Sequence, residues 1–141
     1  TRPLEKVVGL DQRVWIQNWV MMTHGHALFH GAVVPMMLAA ATYIFREDLE
    51  KDEKTLSTLK KAFIVYVVGS VVMLILSVYK GTSYVLMIAS NPMMTLEMVD
   101  ETLFGGSIML RSILFTLVHP TYATGLVWYL LRVRKAVRSG K

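Results

Sequence analysis

Trp19-Val20-Met21-Met22-Thr23-His24-Gly25-His26-Ala27-Leu28-Phe29-His30-Gly31-Ala32-Val33-Val34-Pro35-Met36-Met37-Leu38-Ala39-Ala40-Ala41-Thr42-Tyr43-Ile44-Phe45 contains no Lys, Arg, Asp or Glu. About 20 predominantly apolar residues suffice for a helix to cross a bilayer, so this stretch reads as a membrane span. Three of the chain's four histidines lie inside it. Imidazoles are costly in hydrocarbon unless paired, hydrogen-bonded or bound to something, so ionisable groups at this depth mark a functional site by default.

Two further segments pass the same test, Ala62 to Tyr79 and Ser112 to Leu131. The expected fold is all-α, an integral membrane bundle of three transmembrane helices forming a single domain over residues 1–141. Spans lie at about 19–45, 62–79 and 112–131. Between the first two, residues 46–61 carry five basic and five acidic side chains and read as a water-exposed turn or short surface helix. Residues 81–110 form the expected outer acidic loop. Its apolar patch Tyr84 to Ala89 is too short to cross and ends at the turn Ser90-Asn91-Pro92. That patch is a helix extension, a re-entrant piece or a surface that partners cover. A fourth span here is the competing topology, and Glu97, Asp100 and Glu101 count against it.

Composition agrees: 54% hydrophobic residues in a chain of 141 and a mean hydropathy of +0.47 are too apolar for a small soluble domain. The absence of cysteine excludes disulfides, iron–sulfur clusters, c-type heme attachment and thiolate metal sites. A metal must then be held by His, Met, carboxylate or backbone oxygen. The net charge of +5 is concentrated in the tail, at Arg132, Arg134, Lys135, Arg138 and Lys141. A basic tail after an apolar helix reports orientation and anionic headgroups rather than nucleic acid. Gly81 to Leu110 has no Lys or Arg, so the charged first loop and the C-terminus are expected in the cytoplasm of a multi-pass plasma-membrane protein. The N-terminal residues lack a signal-peptide cleavage pattern, and the first span is expected to be retained.

In this topology the first and third spans run the same way. His24, His26, His30 and His119 then fall in one shallow layer near the outer face, where two helices can present imidazoles to a common centre. His26 and His30 are four apart and share a face with Thr23, whereas His24 points about 200° from His26 and shares its face with Gly31 and Ala27 or Leu28. One face can hold a metal through the His26/His30 pair; the other combines a single histidine with a glycine that admits a flat macrocycle. Arg111, about 12 Å before His119, and Lys80, at the equivalent place on the second span, suit the propionates of a b-type heme.

Each residue also has a structural reading. Histidines can bridge to Thr23, Thr116, Thr121, Tyr66 or Tyr122. Gly25, Gly31, Gly69 and Gly125 can serve close helix packing, and Pro35 and Pro120 are ordinary kinks. Lys80 and Arg111 can be snorkelling anchors. The ten methionines are mostly flexible packing residues, although Met21 and Met22 lie within a turn of the histidines and thioether sulfur suits Cu(I).

His24-Gly25-His26 followed by Gly31 resembles the His-x-His-x4-Gly signature that opens a family of small prokaryotic membrane proteins, themselves remotely similar to the heme–copper oxidase catalytic subunit. Tyr66-x-x-Gly69 and Tyr79-Lys80-Gly81 are similar to that family's second helix, so the likeness spans Trp15 to Gly81, with His119 a looser match. The resemblance implies His24 as a heme ligand with His119 opposite. Those relatives have four spans, and His30 stands where they are usually apolar. The oxidase copper site needs histidines on further helices, which this chain lacks, so oxygen reduction by this chain alone is not expected.

The leading expectation is a membrane-embedded b-type heme protein that transfers electrons, a redox or accessory subunit rather than an enzyme by itself. It would sit beside a larger membrane redox subunit or as a homo-oligomer in the bilayer. His24 and His119 are its axial ligands, Gly31 positions the ring, and Arg111 and Lys80 meet the propionates. His26 and His30 serve a second ligand, a quinone hydrogen bond or an interface. The alternative is a copper- or other metal-binding membrane protein using His26, His30 and Met21 or Met22. A third reading is a cofactor-free structural subunit.

Overall fold

The computed structural model describes residues 10–51 and 53–139, and among these there is no strand. The first helical rod consists of α1 (Leu10–Leu28), a π turn (Phe29–Val33) and α2 (Val34–Ile44). Pro35 explains the π turn: it has no N–H to donate, and in a regular helix its ring would crowd the carbonyl of Gly31. The widened turn absorbs that clash, and Val34 N donates to Phe29 O. Past Phe29, therefore, angular offsets counted along a regular helix no longer apply.

After a break at Phe45 come α3 (Arg46–Leu49), α4 (Glu53–Ser90), α5 (Leu96–Thr102), a 3-10 turn (Leu103–Gly106) and α6 (Ile108–Ser139). Three stretches are long and apolar enough to cross a membrane: Val14–Ile44, Glu53–Ser90 and Ile108–Ser139, whose most apolar 18-residue windows have mean hydropathies of 1.6, 2.4 and 1.2. The chain is thus an all-α helical bundle.

The connections are shorter than the sequence reading places them. With 38 residues, α4 is about 57 Å long against a hydrocarbon core of about 30 Å. Its first turns take up residues 53–61 of the charged segment, whose Lys and Glu are good helix formers. Its last turns take up residues 81–90, so the Tyr84 to Ala89 patch is helix extension. Gly81 survives inside this helix because a Cβ there would lie 2.6 Å from the Trp19 ring. Pro92 disfavours helical backbone at Asn91, and α4 stops at Ser90.

α5 then folds back over the end of the bundle. Thr95 caps it by accepting from Met98 N at 3.2 Å, and Val99 and Leu103 are fully buried against Tyr84 and Ile88. The return into α6 requires three consecutive residues with positive φ, Phe104 (55°), Gly105 (67°) and Gly106 (83°). Two glycines meet that demand without a steric penalty. Phe104 is held there by its N–H, which donates to Tyr79 Oη at 3.1 Å, and by ring contacts to Tyr79 and Phe115.

α4 and α6 are antiparallel and in close backbone contact. A Cβ on Gly125 would lie 2.4 Å from Tyr66 N, and one on Gly69 would lie 2.7 Å from Tyr122 N. Leu59, Ala62, Tyr66, Tyr129 and Val133 form the core towards the C-terminal end, joined by Val34 and Leu38 of α2. Met73, Leu76 and Val118 continue it through the middle. α1 runs antiparallel to α4, with Trp19 Nε1 donating to Ser77 O at 3.2 Å and His30 level with Tyr66. α1 and α6 accordingly run in the same direction.

Candidate functional site

The π turn exposes a backbone acceptor at the centre of the bundle. Val34 N is used by Phe29 O, and the next donor along the chain would be Pro35, which has none, so His30 O lacks an intrahelical partner. The fully buried Tyr66 supplies it: Tyr66 Oη donates to His30 O at 2.8 Å, with His30 Nδ1 3.5 Å away. The His30 ring packs on Tyr122 of α6, centroids 4.6 Å apart, and stacks with His26 at 5.9 Å. His119 lies against the other side of this group, 5.8 Å from Tyr122. Two parallel helices thus bring His26, His30 and His119 together around Tyr122. The expected layer included His24 and lay near the outer face; His30 instead sits level with Tyr66, nearer the Glu53 end of α4 than its Ser90 end.

Three of the four imidazoles are held in the same protonation geometry. Nδ1 of His24 contacts Val20 O at 2.8 Å, Nδ1 of His26 contacts Met22 O at 2.7 Å, and Nδ1 of His119 contacts Phe115 O at 3.1 Å. A carbonyl only accepts, so the hydrogen-bond network assigns the proton to Nδ1 in each neutral ring. Nε2 is left with its lone pair. Metal-ligating histidines are oriented in this way, one nitrogen tied to a backbone carbonyl and the other free to bind.

His24 stands apart from the other three. It is exposed and lines a groove of about 280 Å³ with Trp19, Thr23, Ser77, Gly81 and Val85. The ring contacts of His119 and His30 meet at Tyr122, and none among the described residues reaches His24. The expected axial pair His24 and His119 is therefore divided between two flanks of the first helix, because a step of two residues in α1 turns the side chain by about 200°.

The glycines divide as well. Gly69 and Gly125 sit where a Cβ would strike the neighbouring backbone, whereas a Cβ on Gly25 or Gly31 would meet nothing within 4 Å. Close helix packing explains the first two. Within this chain it does not explain Gly31, which is exposed on an open surface.

Lys80 and Arg111 come together, but around an acid rather than an open anion site. Lys80 Nζ forms an ion pair with Asp100 Oδ1 at 3.0 Å, outside hydrogen-bond geometry. Arg111 lies 3.9 Å from the same oxygen, and its Nη1 donates to Asp100 O. The Lys80 ammonium also sits over Trp19, Tyr84 and Phe115 at 5.2, 5.5 and 5.7 Å. Propionate binding would have to compete with Asp100. Opposite charge was the available signal for this cluster; what sequence could not supply was the fold-back of α5 that delivers the acid. Among the described residues no group of three His or carboxylate side chains has the arrangement of a metal centre, and Met21 is exposed on the surface of α1. No family model, curated protein or solved structure matches the chain.

Proposed function

We propose that this chain is a membrane-embedded electron-transfer protein that binds b-type heme, acting as a small subunit of a membrane redox complex. The observation that carries the reading is the common geometry of His24, His26 and His119, each with Nδ1 tied to the carbonyl four residues before it and Nε2 free. Bound heme would supply a one-electron couple, tuned by its axial ligands and burial. His24 and His119 would each offer one ligand. Because they face different flanks, the opposing ligand comes from a second subunit, and the open surface at Gly25 and Gly31 leaves room for a flat ring against the first rod. The first candidate span has only 11% of its most apolar window buried within the chain, which fits a partner on that surface. The resemblance of His24-Gly25-His26 and Gly31 to the oxidase-like family points the same way. A cytoplasmic C-terminus belongs to this proposal and rests on the basic tail.

The test is an absorption spectrum of the protein purified from its membrane. A reducible Soret and α band, diminished in His24→Ala or His119→Ala, supports the reading, and an unchanged heme spectrum in the double variant refutes the ligand assignment. The stacked His26/His30 pair favours a second reading, copper binding. Copper without heme bands, lost on replacing both residues, would establish that alternative. Protein free of both groups leaves a scaffold subunit.

A further inference from the structure

At the end of the bundle away from α5, the last turns of α6 meet α3 and the first turn of α4. Leu49, fully buried, fixes α3 against Val133 and Ala136 of α6. Between these elements lies a cleft of about 270 Å³, and its charged lining is one-sided: Lys51, Lys54, Arg132 and Lys135 face a single acid, Asp48.

That acid is already engaged, since Lys51 Nζ donates to Asp48 Oδ1 at 2.8 Å. Among the described residues neither Arg132 nor Lys135 takes part in an ion pair. Arg132 is half-buried, and no acid offsets the hydration its side chain gives up. Arg134 and Arg138 follow on the same helix, four residues apart, a spacing at which like charges destabilise it. The dipole of α6 accounts for cations in its last turn, but not for Lys51 and Lys54, which the fold brings to the same cleft from other elements. Such a cluster calls for an anion, and guanidinium beside ammonium is the donor set that phosphate oxygens accept from.

The surroundings select the form of that phosphate. Leu131, 54% exposed, lines a second, shallower cleft with Arg134, Lys135 and Arg138. Lys135 and Ser139 belong to both clefts, so the basic patch runs on to the apolar flank of the third candidate span. A free anion would use the charge alone, whereas an anion carried on acyl chains uses both surfaces.

We propose that this cleft binds the phosphate headgroup of an anionic membrane lipid, as basic pockets between helices at a membrane surface do. The proposal stands whether or not the histidines bind heme.

The experiment offers phosphatidylglycerol or phosphatidylcholine to the full chain, purified in detergent and stripped of native lipid, and counts the lipids retained by native mass spectrometry. One phosphatidylglycerol per chain should bind saturably and outcompete phosphatidylcholine, which carries the same phosphate with a compensating cation. Inorganic phosphate at the same concentration should not displace it. Arg132→Gln combined with Lys135→Gln should weaken retention by roughly 25-fold, about fivefold for each basic side chain beside an anionic headgroup. Lys60→Gln combined with Lys61→Gln removes the same charge from exposed positions outside the cleft and should leave most of the affinity. Ser139→Glu sets an acid among the cations from an exposed position, so it tests the site even if the first double variant misfolds, and it should weaken binding at least about fivefold. Equal retention of the two lipids, full displacement by phosphate, equal losses in the two double variants, or parent-like binding by Ser139→Glu overturns the proposal.

Discussion

Gly125→Ala should unfold this protein more readily than any other single-methyl change in the bundle. The added Cβ would lie 2.4 Å from Tyr66 N, 2.7 Å from Tyr66 Cα and 3.0 Å from Ala62 O, all backbone atoms that no rotamer change can move. Carbon contacts relax at about 3.5–4.0 Å, so α4 and α6 must separate locally by about 1 Å. Overpacking of this kind costs about 1–3 kcal/mol, and alanine returns roughly 0.5–1 kcal/mol through its better helix propensity. The net loss is about 1–2 kcal/mol, a factor of roughly 5–30 in the unfolding equilibrium. Gly25→Ala is the internal control, since its Cβ meets nothing within 4 Å and only the propensity gain remains. Unfolding in mixed micelles by increasing dodecyl sulfate fraction, followed by circular dichroism, compares the two directly. If Gly125→Ala is as stable as the parent while Gly25→Ala behaves the same way, the close crossing of α4 and α6 is not what holds the bundle.

Tyr66→Phe removes the donor to His30 O and should cost roughly 1 kcal/mol in the same assay. In a Pro35→Ala background, where the backbone regains an N–H, the loss should shrink; equal costs in both backgrounds would refute the account of the π turn. Asp100→Asn should raise amide hydrogen exchange in residues 96–106 while changing global stability by less than about 1 kcal/mol, because its ion pairs are partly solvated. Unaltered exchange there would show that Asp100 does not hold α5 down. The chain has no cysteine, so single labels report topology: Ser57→Cys and Ser139→Cys should react from one side of intact vesicles and Ser90→Cys from the other. Labelling of all three from one side contradicts the three-span arrangement.

The helical class and the three apolar rods were legible from hydropathy and length alone, because the bilayer imposes both. The ends were not. Charge marked residues 46–61 and 81–110 as outside hydrocarbon, but charge does not stop a helix, and α4 continues through parts of both segments. That histidines of the first and last spans would come together was legible from the parallel course of those spans; their depth was not, since His30 sits level with Tyr66 rather than near the Tyr79 end. Their grouping was not, since Tyr122, which joins His30 to His119, entered the sequence reading only as one of several hydroxyl partners. Pro35 was visible as a kink, yet its consequence is specific: an orphaned carbonyl at His30 that recruits Tyr66 across the bundle. Lys80 and Arg111 do come together, but only Arg111 lies at a helix end; α4 continues ten residues past Lys80 to Ser90. Their partner Asp100 lies on α5, a short helix whose position depends on Pro92 and on the positive-φ turn Phe104–Gly105–Gly106, features that local pattern does not orient in space.

The distribution of burial argues for what surrounds the chain. The most apolar windows of the three candidate spans are only 11%, 33% and 17% buried within the molecule, the larger value belonging to α4 at the centre. Lipid can cover Val, Leu and Met, but it offers nothing to an exposed imidazole, and His24 and His119 are both exposed with Nε2 free. Left to hydrocarbon, each would carry an unsatisfied polar atom. His24 lies two residues from His26 and on the side of the helix away from it, and among the described residues nothing bonds its Nε2. The same physical demand that makes the outer surface of α1 acceptable to lipid at Leu28 and Met36 makes it incomplete at His24. In the proposed reading a cofactor or a second subunit would meet that nitrogen, and the heme spectrum of His24→Ala is the measurement on which this step depends.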